Sequence, residues 1–459
     1  MHEHEQMLRF GGGGETYVTP FAVVLVLVAI GLICGLPRKY VFFPLLFATF
    51  LIPMDQAVVI GGLHFTILRV LIVVGWARVL AAGWQKTYRP SPLDQAIVIW
   101  GISAGITFVL LWGEWGAFIN RLGFMYSAFG IYFLFRVLFQ STTDIDQAVI
   151  VFATICALLA VVMVNEKLTG RNVFSVFGGV SEFTPVREGS LRAQGPFQHP
   201  ILAGTFGAVL LPLFIGLWWG QKKRKSIALL GIISALVMVV ASSSSTPIMA
   251  AMAGILGVCL WPLREWMRVL RWSIVIVLTS LHIVMKAPVW ALMARVDVVN
   301  GSSGYHRYEL VNQFILHFSD WWLVGEKYTS SWGYFMHDVS NQYVAQGTEG
   351  GLITFALFLW VIVRCFKVLG RARKSPLTNS EAKKRLWSLG SALVACLAAF
   401  FGTTFFDQTT VAWYALLAMI ATSAILPRQV TQAEPQKDFA RVTEILPSYD
   451  NLVTRWSRQ

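Results

Sequence analysis

Charge is what this chain has least of. Only 13% of its 459 residues are charged and 56% are hydrophobic, with a mean hydropathy of +0.62. That composition excludes an ordinary soluble globular protein. Cysteine is sparse as well. The five present (Cys34, Cys156, Cys259, Cys365 and Cys396) fall in apolar runs or at their edges, so neither a disulfide framework nor a cysteine zinc site is indicated. There is no G-x-x-x-x-G-K-[ST] phosphate loop and no H-E-x-x-H metal pair. The first residues, M-H-E-H-E-Q-M-L-R-F-G-G-G-G-E, lack the basic start of a signal peptide, so the first apolar run is expected to stay as an anchor. Acids are nearly missing from the interiors of the apolar runs and no internal repeat is evident, both of which argue against a cation-coupled transporter.

What the chain has instead is apolar runs of about 17 to 25 residues, each long enough to cross a bilayer as a helix. Backbone groups in hydrocarbon must pair within their own segment, which favours helices. An all-α polytopic membrane protein is therefore expected, with about thirteen transmembrane helices in a range of twelve to fourteen. They cover residues 19–35, 40–53, 66–82, 93–112, 122–139, 147–164, 200–220, 227–241, 247–262, 272–287, 343–365, 386–401 and 409–426. The short second run suits a tilted or re-entrant piece.

The formal net charge of +13 is concentrated in short connections: Lys222 to Lys225, Arg264 to Arg271, and Arg364 to Arg385. These alternate with basic-poor connections such as residues 242–246 and 402–408. That pattern assigns the basic connections to the cytoplasm, and it points to a lipid bilayer as partner, with no nucleic acid. The two long loops, 165–199 and 288–342, then share the outer face, with the acidic N-terminus outside. The expected divisions are N-terminal helices (1–164), a first outer loop (165–199), central helices (200–287), a second, catalytic outer loop (288–342), C-terminal helices (343–427) and a cytoplasmic tail (428–459).

Residues 295–351 gather three histidines (His306, His317, His337), two arginines and several acids between apolar spans. A connector has no need of so polar and aromatic a segment. In the first long loop Arg187 and Arg192 stand just before a span, where a planar guanidinium fork can grip phosphate in bidentate fashion. They could equally snorkel or pair with Glu188. Gly195, Pro196 and Pro200 stiffen the loop's re-entry and favour the phosphate reading. Arg307 in the second loop is the matching cation, with an ion pair to Glu309 or Asp297 as its structural alternative. Trp321, Trp322, Tyr328, Trp332 and Tyr334 suit stacking on sugar rings, or equally a membrane interface. Asp144 and Asp146 spell D-x-D, a metal-holding pattern in some nucleotide-sugar enzymes, but capping of a helix explains them better and no metal is called for. Residues 242–245, four serines, suit a tight outer turn.

Three classes of function compete: a transporter or flippase of lipid-linked saccharide, a structural scaffold, and a membrane enzyme. Two polar loops on one face favour the enzyme. The stretches L-R-A-Q-G-P-F-Q-H-P-I-L-A-G, S-S-S-S-T-P, G-Y-H-R and N-Q-Y-V-A-Q-G-T-E-G-G-L, in this order across approximately Val186 to Phe358, resemble the O-antigen ligase and polysaccharide polymerase family of bacteria. The resemblance implies a GT-C-like membrane glycosyltransferase of the inner (cytoplasmic) membrane, working at the periplasmic face without nucleotide, metal or other cofactor. Its donor would be an undecaprenyl diphosphate-linked glycan and its acceptor a saccharide or lipid-linked glycan, with inversion at the anomeric carbon. Other polysaccharide-assembly membrane proteins would be its partners. Arg192 and Arg307 match the family's two diphosphate-binding arginines, with Arg187 beside them. Ligases carry H-N-x-Y before the following span, whereas this chain has Ser340 at the histidine position. His337 is then the first candidate for the catalytic base, ahead of Asp338 and His306. Capping of the helix that begins near Asn341 is the structural alternative for His337 and Asp338.

Overall fold

A computed structural model of the chain describes residues 17–54, 56–60, 63–220, 222–295 and 304–423. The expected outer N-terminus, Asp297 and the expected cytoplasmic tail lie outside the described residues.

A helix occupies every one of the thirteen apolar runs, and among the described residues the second long loop holds one longer α-helix and two of a single turn, Leu292–Arg295 and Phe318–Trp321. Single turns aside, they are in order α1 (Pro20–Gly35), α2 (Arg38–Leu51), α3 (Ile67–Ala81), α4 (Pro92–Trp112), α5 (Trp115–Leu138), α6 (Thr142–Thr169) and α7 (Pro200–Trp218). Then come α8 (Lys225–Ala241), α9 (Ser245–Cys259), α10 (Met267–Val284), the loop helix α11 (Gly304–Leu316), α12 (Gln342–Lys374), α13 (Ser380–Ala399) and α14 (Gln408–Ser423). Seven of the described helices, α4 to α8, α10 and α12, are long and apolar enough to cross a membrane. At 14 residues α2 is roughly 21 Å long, short of a hydrocarbon core about 30 Å thick.

Helix starts follow local chemistry. Ser91 with Asp94, and Ser141 with Asp144, form capping boxes that satisfy free N–H groups at the starts of α4 and α6. Asp144 is thus a cap, as its place after Ser141 and Thr142 suggests. Asp146 instead pairs with Arg224 and with Arg385, the latter at 2.6 Å. In the last turn of α5, buried Arg136 is matched by the buried carboxylate of Asp94 at 2.9 Å and also donates to Thr422.

Helices α7 and α14 form the centre of the bundle. All of α14 except Thr410 is buried. Glycines on α7 permit close approach: a methyl at Gly207 would meet the Ala235 carbonyl of α8, and one at Gly216 would meet Ser388 of α13. By contrast, no residue of α10 is buried.

Two departures from the sequence reading bear on function. Small antiparallel ribbons fill the connections, one pairing Ala57–Ile60 with Leu63–Thr66 and one pairing Val186–Arg187 with Ser190–Leu191. More consequentially, the span expected at 343–365 is two helical pieces. Gly351 sits at φ 67°, and any side chain there would collide with the Leu323 carbonyl. The second loop restores the broken pairing: Leu352 N–H donates to Trp322 and Glu326 N–H to Thr348, each at 2.8 Å.

Polar contacts sort into two ends. At one, Arg136 binds the Arg89 carbonyl, Asp146 holds Arg224 and Arg385, and Arg373 binds the Arg264 carbonyl, tying the basic connections together. At the other, Gln198 N–H donates to Asp407, Asn341 to the Phe401 carbonyl and Thr246 to the Gly402 carbonyl. Both long loops meet the basic-poor turns at this second end.

Candidate functional site

Both phosphate-gripping candidates converge on the serine turn. The first loop is shaped by Glu166 at the end of α6, whose fully buried carboxylate accepts the N–H groups of Gln194 and Gly195 and the Thr184 hydroxyl. Arg192 N–H donates to the Pro185 carbonyl at 2.9 Å, and Ala193 N–H to the Ala241 carbonyl at 3.1 Å. Pinned on both sides, Arg192 turns a side chain only 8% exposed towards residues 242–246. Its Nη2 donates to Ser244 Oγ at 2.7 Å, while its buried Nε finds no partner among the described residues.

Arg307, on α11 and 4% exposed, reaches the same turn. Its Nη1 donates to Ser245 Oγ at 3.2 Å and its Nη2 to Thr246 Oγ1 at 2.8 Å. Gly402 closes this side, where a methyl would lie 2.9 Å from Arg307 Nε and press on Thr246. The turn is itself internally bound, Ser242 Oγ donating to the Val239 carbonyl and Ser244 Oγ to the Ser242 carbonyl. Ser243 has φ 43°, unusual for a residue with a side chain. Sequence reading gave these serines no chemistry. The available signal was a run of hydroxyls at the expected outer end.

The electrostatics are one-sided. Among the described residues, no carboxylate oxygen lies within 4 Å of Arg192 or Arg187. The expected alternative pairing of Arg187 with Glu188 therefore does not form; Arg187 is exposed on its ribbon. Burial, and then Arg187, push the Arg192 guanidinium below its ordinary value. Arginine stays charged regardless, so among the described residues the buried Arg192 charge is answered by a neutral hydroxyl.

His199, which sequence reading left out, lies between the two loops' candidates. Its Nδ1 accepts the Ile201 N–H at 3.1 Å, capping α7. Burial, and then Arg192, push the ring down to about 4, against the opposite pull of Asp338. The ring is therefore neutral near pH 7 and bears its hydrogen on Nε2. Its signal was a histidine just before the proline that opens a span.

The three base candidates separate. His306 places Nε2 3.1 Å from the backbone carbonyl of Asp338, bringing two of them together. His337 is exposed, its ring resting against Phe335. The helix beginning at Gln342 is capped by Asn341, whose Oδ1 accepts from Tyr343 and Val344, so His337 and Asp338 do not cap it. Of the aromatics, Trp321 and Trp332 are buried in the loop's own core, whereas Tyr334 is 86% exposed. A cavity around Asp146, Arg224 and Arg385 lies at the opposite end.

Comparison with protein-family models and with curated proteins finds no match for this chain. The functional reading rests on the residues themselves.

Proposed function

We propose that this chain is a membrane glycosyltransferase of the O-antigen ligase and polysaccharide polymerase type, with thirteen spans in a GT-C-like arrangement. It would sit in the bacterial inner membrane with the serine-turn end towards the periplasm. There it moves a glycan from an undecaprenyl diphosphate carrier to a saccharide or lipid-linked acceptor. One observation carries this reading: Arg192 is a buried guanidinium with no carboxylate within 4 Å among the described residues, and it shares a turn with Arg307. A buried charge without a counter-charge is costly, and a bound anion relieves it.

The reaction follows from that geometry. The acceptor hydroxyl attacks the anomeric carbon, the bond from that carbon to the phosphate oxygen breaks, and the carrier diphosphate leaves with the electron pair. The two arginine forks stabilise the growing negative charge. The hydroxyl proton goes to a base, and among the three candidates the geometry favours His306. A carbonyl only accepts, so the His306 nitrogen at the Asp338 carbonyl bears the hydrogen and Nδ1 keeps a free lone pair. His337 and the Asp338 carboxylate are the rivals.

A second reading, a transporter or flippase of lipid-linked saccharide, is favoured by the break in α12 at Gly351, since discontinuous helices are common in transporters. Deleting the gene separates the readings. A lipid-linked repeat unit accumulating at the outer leaflet indicates a polymerase, and a finished lipid-linked polymer there indicates a ligase. Accumulation on the inner leaflet supports the flippase, and no accumulation of lipid-linked glycan contradicts the proposal.

A further inference from the structure

Lys167 lies in the last turn of α6, next to the glutamate that shapes the first loop. Cations are favoured at helix C-termini, which accounts for a lysine there but not for where its side chain goes. The ammonium donates to the Leu191 carbonyl, one residue before Arg192, and to Ser243 Oγ, one residue before Arg192's partner Ser244. Ser243 Oγ also lies 3.2 Å from that same carbonyl. Lys167 therefore clamps the first loop to the serine turn at the residue whose backbone is strained, φ 43°. An ammonium has three donors, and these two contacts leave one. Among the described residues no carboxylate lies within 4 Å of Lys167, just as for Arg192.

We infer that Lys167 is a third cation of the diphosphate site, holding the turn with two donors and presenting its charge and third donor to the bound phosphates. This rests on the anion-site reading of Arg192 and Arg307 and extends it to α6. A lysine that merely held the turn would be replaceable by a neutral donor.

The test is titration of farnesyl diphosphate, a short stand-in for the carrier, into purified full-length protein in detergent. Lys167→Gln keeps donors for the Leu191 carbonyl and Ser243 without the charge, and its affinity is expected to fall at least tenfold. Lys167→Arg keeps the charge and is expected to recover most of that loss. Wild-type affinity in Lys167→Gln, with binding lost in Arg192→Ala, overturns the role of Lys167 and leaves the arginine site standing. Equal losses in the Gln and Arg variants also overturn it, because the charge is then not what matters. Wild-type affinity in Arg192→Ala as well removes the anion site itself. Should Lys167→Gln not purify as a monodisperse protein, the same titration on isolated membranes holding Lys167→Gln, Lys167→Arg or the unaltered protein gives the decision with the neutral donors kept.

Discussion

Arg192 and Arg307 come from different loops yet donate to adjacent residues of one turn, Ser244 at 2.7 Å and Ser245 at 3.2 Å. Hydroxyls fix where the two forks sit, and at Arg192 no carboxylate among the described residues cancels the charge. A carboxylate in the same place would also have held them, but it would have spent the electrostatic attraction that a diphosphate needs.

The arginines are therefore expected to depend on shape as well as charge. Arg192→Lys and Arg307→Lys keep a cation but lose the fork, and kcat/KM should fall sharply while the protein still inserts. Truncating one partner of a buried charged contact costs about 2 to 5 kcal/mol, so either alanine variant should be close to inactive. Steady-state transfer kinetics check this, and wild-type turnover by both lysine variants would remove the clamp.

Gly402 offers a test that leaves every polar side chain in place. Gly402→Ala puts a methyl against Thr246 and 2.9 Å from Arg307 Nε, and it should lower donor affinity by displacing the guanidinium. Gly370→Ala in α12 meets nothing within 4 Å and serves as the control, with melting temperature held or slightly raised. Equal behaviour of the two variants in a donor-binding titration would contradict the packing argument.

For the base, His306→Ala is expected to bind donor normally and lose turnover. His337→Ala, which removes an exposed ring, should cost much less. If His337→Ala is the inactive variant and His306→Ala turns over normally, the assignment moves to His337. If only Asp338→Ala binds donor without reacting, the carboxylate is the base.

His199 gives a pH dependence of known sign. Its folded value, about 4, lies below the ordinary 6.5, so the unfolded chain takes up the proton first. Its contribution to stability is complete above pH 6.5 and is lost as pH falls towards 4. Asparagine also caps helices, so His199→Asn should keep α7 while melting with a weaker acid sensitivity in that window. Parallel melting curves for the two proteins between pH 4 and 7 would contradict this.

The positions of the helices were legible in the sequence because an apolar run of sufficient length has few alternatives in a bilayer. The break in α12 was not. Gly350 and Gly351 stand between the polar stretch from Gln346 to Glu349 and the apolar run that follows, and only the Leu323 carbonyl and the pairing of Trp322 with Leu352 reveal that the chain bends there. Arg192 and Arg307 were visible as cations in the two long loops, each with an acid near enough in sequence, Glu188 or Glu309, to offer an ordinary ion pair instead. Ser244, Ser245 and Thr246 were not visible as their holders, since hydroxyl partners depend on which turns meet in space. His199 and Lys167 were hidden for the opposite reason: each has an ordinary local role, a helix cap and a helix C-terminal cation, that conceals its second one.

The central claim is tested most directly by reconstituting the purified protein in liposomes containing undecaprenyl diphosphate-linked glycan and an acceptor saccharide. The release of undecaprenyl diphosphate is then followed. Release matched one for one by an elongated acceptor, and abolished in Arg192→Ala, is the expected result. Movement of intact lipid-linked glycan across the bilayer, with no undecaprenyl diphosphate released, would contradict the account.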